Sequence, residues 1–415
     1  MSNRFVHAAD LHLDSPFRGV GRFREGLDLQ LREASLTAWD RLVDLCLDEH
    51  AAFLLIAGDL FNSDQRSPRA ERSVRQGLER LVAAGIPTLI VHGNHDPFGQ
   101  GTSYGRVDGV TVFRAGRPQT VALAVADGST VTVHGVSFGR RAEPDNLAVQ
   151  FVRGEQPGLH IGLLHCMAGA SEGHDPYAPC SVQDLIAAKM DYWALGHVHE
   201  PQVLNEDPPI VYAGTTQGRS PRPGERGPRG AFVVEFDGTT IQERRFVALD
   251  SVRFAHVDVS IDGCEDLDEL EQRLVHAAEA ALVASDGRLV LLRATLTGRS
   301  SLHRRLAGDG VCESLRVALD GDADANFVWE RIENATGAEI DVEALRGSDA
   351  IAGDVIAMAD EIARDPDALA ALLLDWEESV RDSAARGVSL SDPAARLLAA
   401  RDRTLEILVD GEVGE

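Results

Sequence analysis

Lysine is almost missing from this 415-residue chain: Lys189 stands alone among 40 basic residues, and 66 acidic residues leave a net charge of -26. Duplex binding rests on Lys and Arg neutralising phosphates, so a total of this sign argues against a protein that grips nucleic acid over its whole surface. Distribution narrows that exclusion. Through Asp250 there are 24 basic against 31 acidic residues, and beyond it 16 against 35, so most of the surplus lies in the C-terminal part. Cysteine is scarce as well. Cys46, Cys166, Cys180, Cys264 and Cys312 are odd in number and widely spaced, with no Cys-x-x-Cys pair, which argues against a disulfide framework or a zinc ribbon. The first residues lack a basic start followed by an apolar run, and no later stretch is long and apolar enough to span a bilayer. A soluble, cytoplasmic protein with no membrane role is expected, and its length calls for two or three units with at least one large core.

What is present begins as a βαβ pattern. Arg4 to Ala9 reads as a strand, Leu27 to Glu49 as an amphipathic helix and Phe53 to Ala57 as a buried strand. A helix from Pro68 to Ala84 and a strand from Thr88 to Val91 repeat it, and further strands are predicted at Val131 to Phe138, His160 to Leu164 and Tyr192 to Leu195. In α/β folds ligands bind beyond the carboxyl ends of strands, so motifs placed there converge in space. Gln217 to Gly230 is a loop rich in Gly, Pro and Arg, and it leads into a strand at Ala231 to Phe236. From Val252 the pattern restarts as strand, helix (Leu267 to Val283) and strand, and beyond Ala335 the chain is Ala- and Leu-rich with helical periodicity. Three parts are expected: 1–250, a small α/β domain at 251–335, and a helical segment at 336–415.

Eleven of the fourteen histidines precede residue 200, several beside Asp or Asn at predicted strand ends. Asp10-Leu11-His12 and His197-Val198-His199 each place two donors two residues apart, which in an extended chain directs both to one side. With Asp59, Asn94 and His165 they make seven imidazole, carboxylate and amide donors, enough for two divalent ions. Two such ions carry more positive charge than Asp10 and Asp59 cancel, which suits phosphate chemistry: a bridging water ionises near neutral pH and attacks phosphorus. His95, next to Asn94, is the candidate to protonate the leaving oxygen or stabilise the transition state. His7, His92, His134 and His160 read as core or supporting histidines, while His174 and Tyr177 lie in a loop that borders the predicted site. Arg66, Arg69, Arg72 and Arg75 on one helix, and Arg219, Arg222, Arg226 and Arg229 in the Gly/Pro loop, are candidate phosphate contacts, although an exposed Arg-rich face is usually just solvated.

Asp10-x-His12, Gly58-Asp59, Gly93-Asn94-His95-Asp96, Leu164-His165 and Gly196-His197-x-His199 together resemble the calcineurin-like metallophosphoesterase signature, in that superfamily's chain order. The strings DLHLDSPF and YAPCSVQDL further resemble the DNA repair exonuclease branch of SbcD and YhaO type. The resemblance implies a layered β-sandwich flanked by helices, with a small α/β cap domain and a C-terminal helical segment. It implies one metal held by Asp10, His12, Asp59 and His199, a second held by Asp59, Asn94, His165 and His197, and His95 as the catalytic histidine. Manganese is the expected metal, and the donor set also suits iron or zinc. Three residues after Asp59 the nuclease relatives often carry His and phosphatases Asp, whereas this chain has Asn62, a residue near the substrate in this scheme.

The implied activity is hydrolysis of DNA phosphodiesters, as an exonuclease with some single-strand endonuclease capacity. The implied partner is an SMC-like coiled-coil ATPase of SbcC or YhaN type, with the final helix, bearing Leu397, Leu398, Leu405 and Leu408, as a docking face, and the branch also implies a homodimer. Two alternatives share the residues: a phosphoesterase acting on cyclic nucleotides, phosphoproteins or small phosphomonoesters, and a non-catalytic partner of the ATPase.

Overall fold

The computed structural model describes residues 3–17, 27–62, 67–99, 104–169, 177–320, 326–346, 351–379 and 393–412. The chain forms two compact units: Met1–His256 with Ala278–Arg293 and Ala323–Glu330, and Val257–Ala277 with Ala294–Asp322 and Arg331–Glu415.

Among the described residues up to Ala248, twelve strands form two sheets: β1 (Asn3–Ala8), β2 (Phe53–Ala57), β3 (Thr88–Val91), β4 (Val110–Val112), β5 (Gln119–Ala124), β6 (Thr130–Val136), β7 (Leu159–His165), β8 (Tyr192–Gly196), β9 (Gln202–Glu206), β10 (Pro209–Tyr212), β11 (Gly230–Asp237) and β12 (Thr240–Ala248). One sheet runs β12-β11-β1-β2-β3-β4 and the other β5-β6-β7-β8-β10-β9. Strand alternation sorts the apolar side chains into layers. Phe5, Phe53, Leu55, Leu89 and Val91 face Val131, Ile161, Leu163 and Ala194 between the sheets. Val6, Leu54, Ile56 and Ile90 point the other way, onto α1 (Leu27–Asp48) and α2 (Pro68–Ala83), where Trp39, Leu42, Val74 and Leu78 are buried. The far face of the second sheet buries Leu164, Trp193 and Leu195 with Leu185 of α3 (Val182–Ala187). The result is a four-layer α-β-β-α sandwich. Local signals set its joints: Ser67 caps α2 by accepting the Ala70 N–H, with Pro68 opening the helix.

The parallel pairs β1–β2, β2–β3, β6–β7 and β7–β8 place strand ends side by side. Strands β4, β5, β9, β10 and β12 were not anticipated from the sequence. Several are edge or near-edge strands with solvated faces; β12, Thr-Ile-Gln-Glu-Arg-Arg-Phe-Val-Ala, carries charge where an internal strand would be apolar.

Beyond Asp250, β13 (Val252–Ser260), β14 (Leu289–Thr297) and β15 (Phe327–Asn334) form a three-stranded sheet in that order. Helix α4 (Leu267–Val283) buries Leu270, Leu274 and Ala278 at helical spacing. Among the described residues five further helices precede the last: α5 (His303–Leu306), α6 (Val311–Leu319), α7 (Val342–Arg346), α8 (Ile351–Arg364) and α9 (Pro366–Ser379). On α10 (Pro393–Glu412), Leu405 is fully buried against Ala352 and Ile356 of α8, and Arg401 Nη1 donates to Asp360 Oδ1 at 2.8 Å. Part of the apolar stripe predicted to dock a partner is therefore used inside this unit, while Leu397, Leu398 and Leu408 stay half-buried. No helix among the described residues is long and apolar enough to cross a membrane.

Candidate metal centre

Five strand ends deliver donors to one place. Asp10 and His12 follow β1, Asp59 follows β2, Asn94 and His95 follow β3, His165 ends β7, and His197 and His199 follow β8. Backbone hydrogen bonds align these loops: the Asp10 N–H donates to Gly58 O at 3.1 Å and the His12 N–H to Asp59 O at 3.0 Å. Asp96 staples the loop after β3 to the loop after β2, its carboxylate accepting the Leu60 N–H at 2.9 Å and the Gly93 N–H at 3.0 Å. The Asp-x-His and His-x-His spacings do reach one site, but an extended chain is not the reason. Asp10, His12, Asp59 and His197 have φ of 50°, 43°, 51° and 109°. Non-glycine residues held there cost on the order of 1–3 kcal/mol each and persist where surrounding bonds over-determine them, as at functional sites.

The donor atoms crowd closely together. His12 Nδ1 donates to Asn62 Oδ1 at 2.8 Å and His165 Nδ1 to Ala57 O at 2.9 Å, so each turns a bare Nε2 inward. His12 Nε2 lies 3.2 Å from His199 Nε2, and Asn94 Oδ1 lies 2.9 Å from His165 Nε2 and 3.3 Å from His197 Nδ1. Two donors about 2.1 Å from one ion and at right angles are about 3.0 Å apart, so these spacings suit neighbouring ligands of a cation. Asp59 Oδ2 sits between the groups, 3.8 Å from His12 Nε2 and 3.6 Å from His165 Nε2. Asp10 Oδ1 is buried with no hydrogen-bond partner, and buried acceptors of that kind are costly. Burial holds the His12 and His165 imidazoles well below their usual range, leaving neutral lone pairs. Burial, then the neighbouring Asp96 and Asp10 charges, push the Asp59 carboxyl well up. A site of neutral imidazoles around crowded carboxylates is one that a divalent ion relieves. The residues present fit such ions, with Asp10, His12 and His199 in one donor group and Asp10, Asp59 and His165 in another.

A family model described as Calcineurin-like phosphoesterase matches residues 3–201, and another, described as Metallophosphoesterase YhaO, middle domain, matches residues 254–337. A Bacillus subtilis protein named uncharacterized metallophosphoesterase YhaO is 32% identical over 346 residues, covering 82% of this chain and 84% of that protein. The chain belongs to the calcineurin-like metallophosphoesterase family, on its YhaO-type branch. It is also similar to proteins named DNA double-strand break repair protein Mre11. The one from Thermoplasma acidophilum is 26% identical, covering 65% of this chain and 71% of that protein, and the one from Haloferax volcanii is 26% identical, covering 65% and 58%. Membership makes it a metal-dependent phosphoesterase.

In this metallophosphoesterase the donors open into a cavity of about 200 Å³ lined by His12, Asn62, His95, His199, Arg219 and Arg222, among others. The His95 ring is exposed there, edge-on to His12 at 4.9 Å between centroids, and its backbone N–H donates to Asp59 Oδ1 at 2.9 Å. Partial burial, then His199 and Arg219, hold its imidazole below the usual range. Asn62 stands behind His12, its Nδ2 donating to Ser15 Oγ at 2.7 Å while Oδ1 receives the His12 Nδ1–H. Arg219 and Arg222 stand in the cavity wall, whereas Arg69 pairs with Glu33 of α1 and Arg66 lies outside the described residues. The Tyr177 ring lies 5.2 Å from that of His197; His174 lies outside the described residues. His7 bonds Tyr192 and Leu195, and His134 bonds His160, both away from the centre. Sequence reasoning missed Glu225, whose Oε1 lies 3.1 Å from His199 Nδ1. Its only signal was one carboxylate in a loop of four arginines.

Proposed function

We propose that this chain is a two-metal DNA phosphodiesterase, an exonuclease with some single-strand endonuclease activity in DNA repair. The observation that carries the reading is two buried donor groups side by side, Asp10 with His12 and His199 and Asp10 with Asp59 and His165, with Asp59 Oδ2 3.8 Å from His12 Nε2 and 3.6 Å from His165 Nε2. One ion is assigned to Asp10, His12, Asp59 and His199, the other to Asp59, Asn94, His165 and His197, with manganese the expected metal. When bound, such ions supply Lewis acidity, which yields a nucleophile from water and neutralises charge on the phosphate oxygens. The chain's own residues orient the rest. His95 offers its ring N–H to the leaving oxygen, to protonate it or to stabilise the transition state, and Arg219 and Arg222 hold phosphate oxygens at the cavity wall. Similarity to the Mre11 proteins, together with these arginines, favours DNA as substrate. Residues 1–250 are assigned to catalysis, 251–335 to a cap that guides substrate, and 336–415 to docking a coiled-coil ATPase of SbcC or YhaN type; a homodimer and a cytoplasmic location belong to the same reading.

The test is cleavage of end-labelled single- and double-stranded DNA with manganese, magnesium or chelator, for the wild type, His95→Ala and Asp59→Ala. Manganese-dependent cutting that falls by about 100-fold or more in both folded variants supports the reading. A second reading, a phosphoesterase acting on small-molecule, cyclic-nucleotide or phosphoprotein substrates, uses the same donor groups. Metal-loaded protein that hydrolyses bis-p-nitrophenyl phosphate and leaves every DNA intact would establish that reading instead. Pull-down of the ATPase with and without residues 393–412 tests the docking assignment.

A further inference from the structure

Two of the inward-facing histidines take their orientation from close to the strand framework, His165 from Ala57 O and His12 from Asn62. His199 takes its orientation from the arginine loop. The short turn Pro223–Glu225 brings the Glu225 carboxylate to His199 Nδ1 at 3.1 Å, and its other oxygen, Oε2, accepts the Arg219 N–H at 2.6 Å. Arg219 Nη2 adds a longer contact to Oε1 at 3.9 Å, and the Glu225 side chain is only 14% exposed.

We propose that Glu225 is a positioning residue of the metal centre: it fixes the ring and tautomer of His199 for the ion shared with Asp10, His12 and Asp59, and ties the Arg219 backbone to that ion. This rests on the two-metal reading above. An ionised acceptor at Nδ1 makes that nitrogen the proton carrier, so Nε2, 3.2 Å from His12 Nε2, presents its lone pair. A carboxylate behind a ligating imidazole also raises its basicity. The arrangement needs two acceptors, because two N–H donors face the two oxygens. Glutamine offers one acceptor and one donor, so it satisfies either His199 or Arg219 but not both.

The experiment is calorimetric titration of metal-stripped protein with Mn²⁺, with bound metal counted and the electron paramagnetic resonance spectrum recorded, for wild type, Glu225→Gln, Glu225→Ala, His199→Ala and the double variant. Wild type should bind two ions. Glu225→Ala should hold one ion as before and bind the other about 10- to 100-fold more weakly, losing the spin-coupled signal at limiting metal, with Glu225→Gln between. Adding Glu225→Ala to His199→Ala should cost that ion little more, because both changes remove one coupled unit. In hydrolysis of bis-p-nitrophenyl phosphate, KM should rise along with the fall in kcat as Arg219 is released. Two ions bound at wild-type affinity by Glu225→Ala overturns the proposal, as does an additive loss in the double variant. Should the alanine variant misfold by circular dichroism, the glutamine variant decides on the same readout. A wild type that fails to bind two ions overturns the two-metal reading and this proposal with it.

Discussion

One methyl group added at Gly93 should disable the metal centre while leaving the fold standing. Gly93 opens the Asn94-His95 loop, and a Cβ built on it meets Asp59 Oδ1 and stands 2.8 Å from both His165 Cε1 and Nδ1. Carbon atoms rest about 3.5–4.0 Å apart, so His165 or the loop must give by roughly 0.7 Å or more, and the Asp59 carboxylate must turn as well. Neither is free to do so cheaply. His165 Nδ1 is held by Ala57 O at 2.9 Å, and Asp59 Oδ1 by the His95 N–H at 2.9 Å. A misplacement near 1 Å at a reacting centre costs on the order of 100-fold in rate, about 2.7 kcal/mol. Overpacking should also cost about 1–3 kcal/mol of stability. Gly93→Ala is therefore expected to fold, to bind manganese more weakly and to hydrolyse bis-p-nitrophenyl phosphate about 100-fold more slowly at saturating metal. Gly85→Ala is the control, since its φ of 76° strains any side chain while nothing lies within 4 Å, and it should lose stability but no activity per folded molecule. A well-folded Gly93→Ala enzyme within threefold of wild type would refute the packing argument.

Divalent ions should stabilise the fold by about 2.7 kcal/mol per site at a concentration 100 times Kd, so chelator should lower the melting temperature; identical melting curves with and without chelator would count against bound ions. Asp250 is fully buried and accepts from Arg253 Nε and Nη2 at 2.8 and 2.9 Å; Asp250→Ala leaves a buried guanidinium uncompensated and should cost about 3–5 kcal/mol by urea unfolding. Burial, opposed by the hydrogen bond to Leu195, holds His7 down at about 3. Its contribution to stability is therefore complete above the unfolded value of 6.5 and is lost as pH falls toward 3, at about 1.4 kcal/mol per pH unit. Between pH 7 and 5 the wild type should lose more stability than His7→Gln, and equal losses would sink the assignment.

The layered core was legible because its strands are short apolar runs with turn signals at both ends; the strand at Phe53–Ala57 and the helices starting at Leu27 and Pro68 lie where periodicity places them. The candidate donors were legible as residue types at strand ends, although the backbone beneath Asp10, His12, Asp59 and His197 is not extended, and only φ values show that. What sequence could not carry is long-range pairing of polar groups. Glu225 reaches His199 across 26 positions and Asn62 reaches His12 across 50, with no periodicity linking either pair. Leu405 shows the converse: an apolar stripe records that a helix packs, and the structure gives part of it to Ile356 in the same unit.

The net charge of -26 and a phosphate-cleaving site are compatible once range is considered. At physiological ionic strength exposed charges beyond about 8 Å are largely screened, so the chain's total says little about one cavity. Inside that distance the inventory differs. Asp10 and Asp59 are buried against the donor histidines, Glu225 is engaged by His199 and Arg219, and Arg219 and Arg222 line the opening. Adding divalent ions to two carboxylates would leave a local positive field where a phosphodiester would lie. Charge at this site is thus set by a few nearby groups, and the acidic surplus beyond Asp250 bears on solubility rather than on the chemistry.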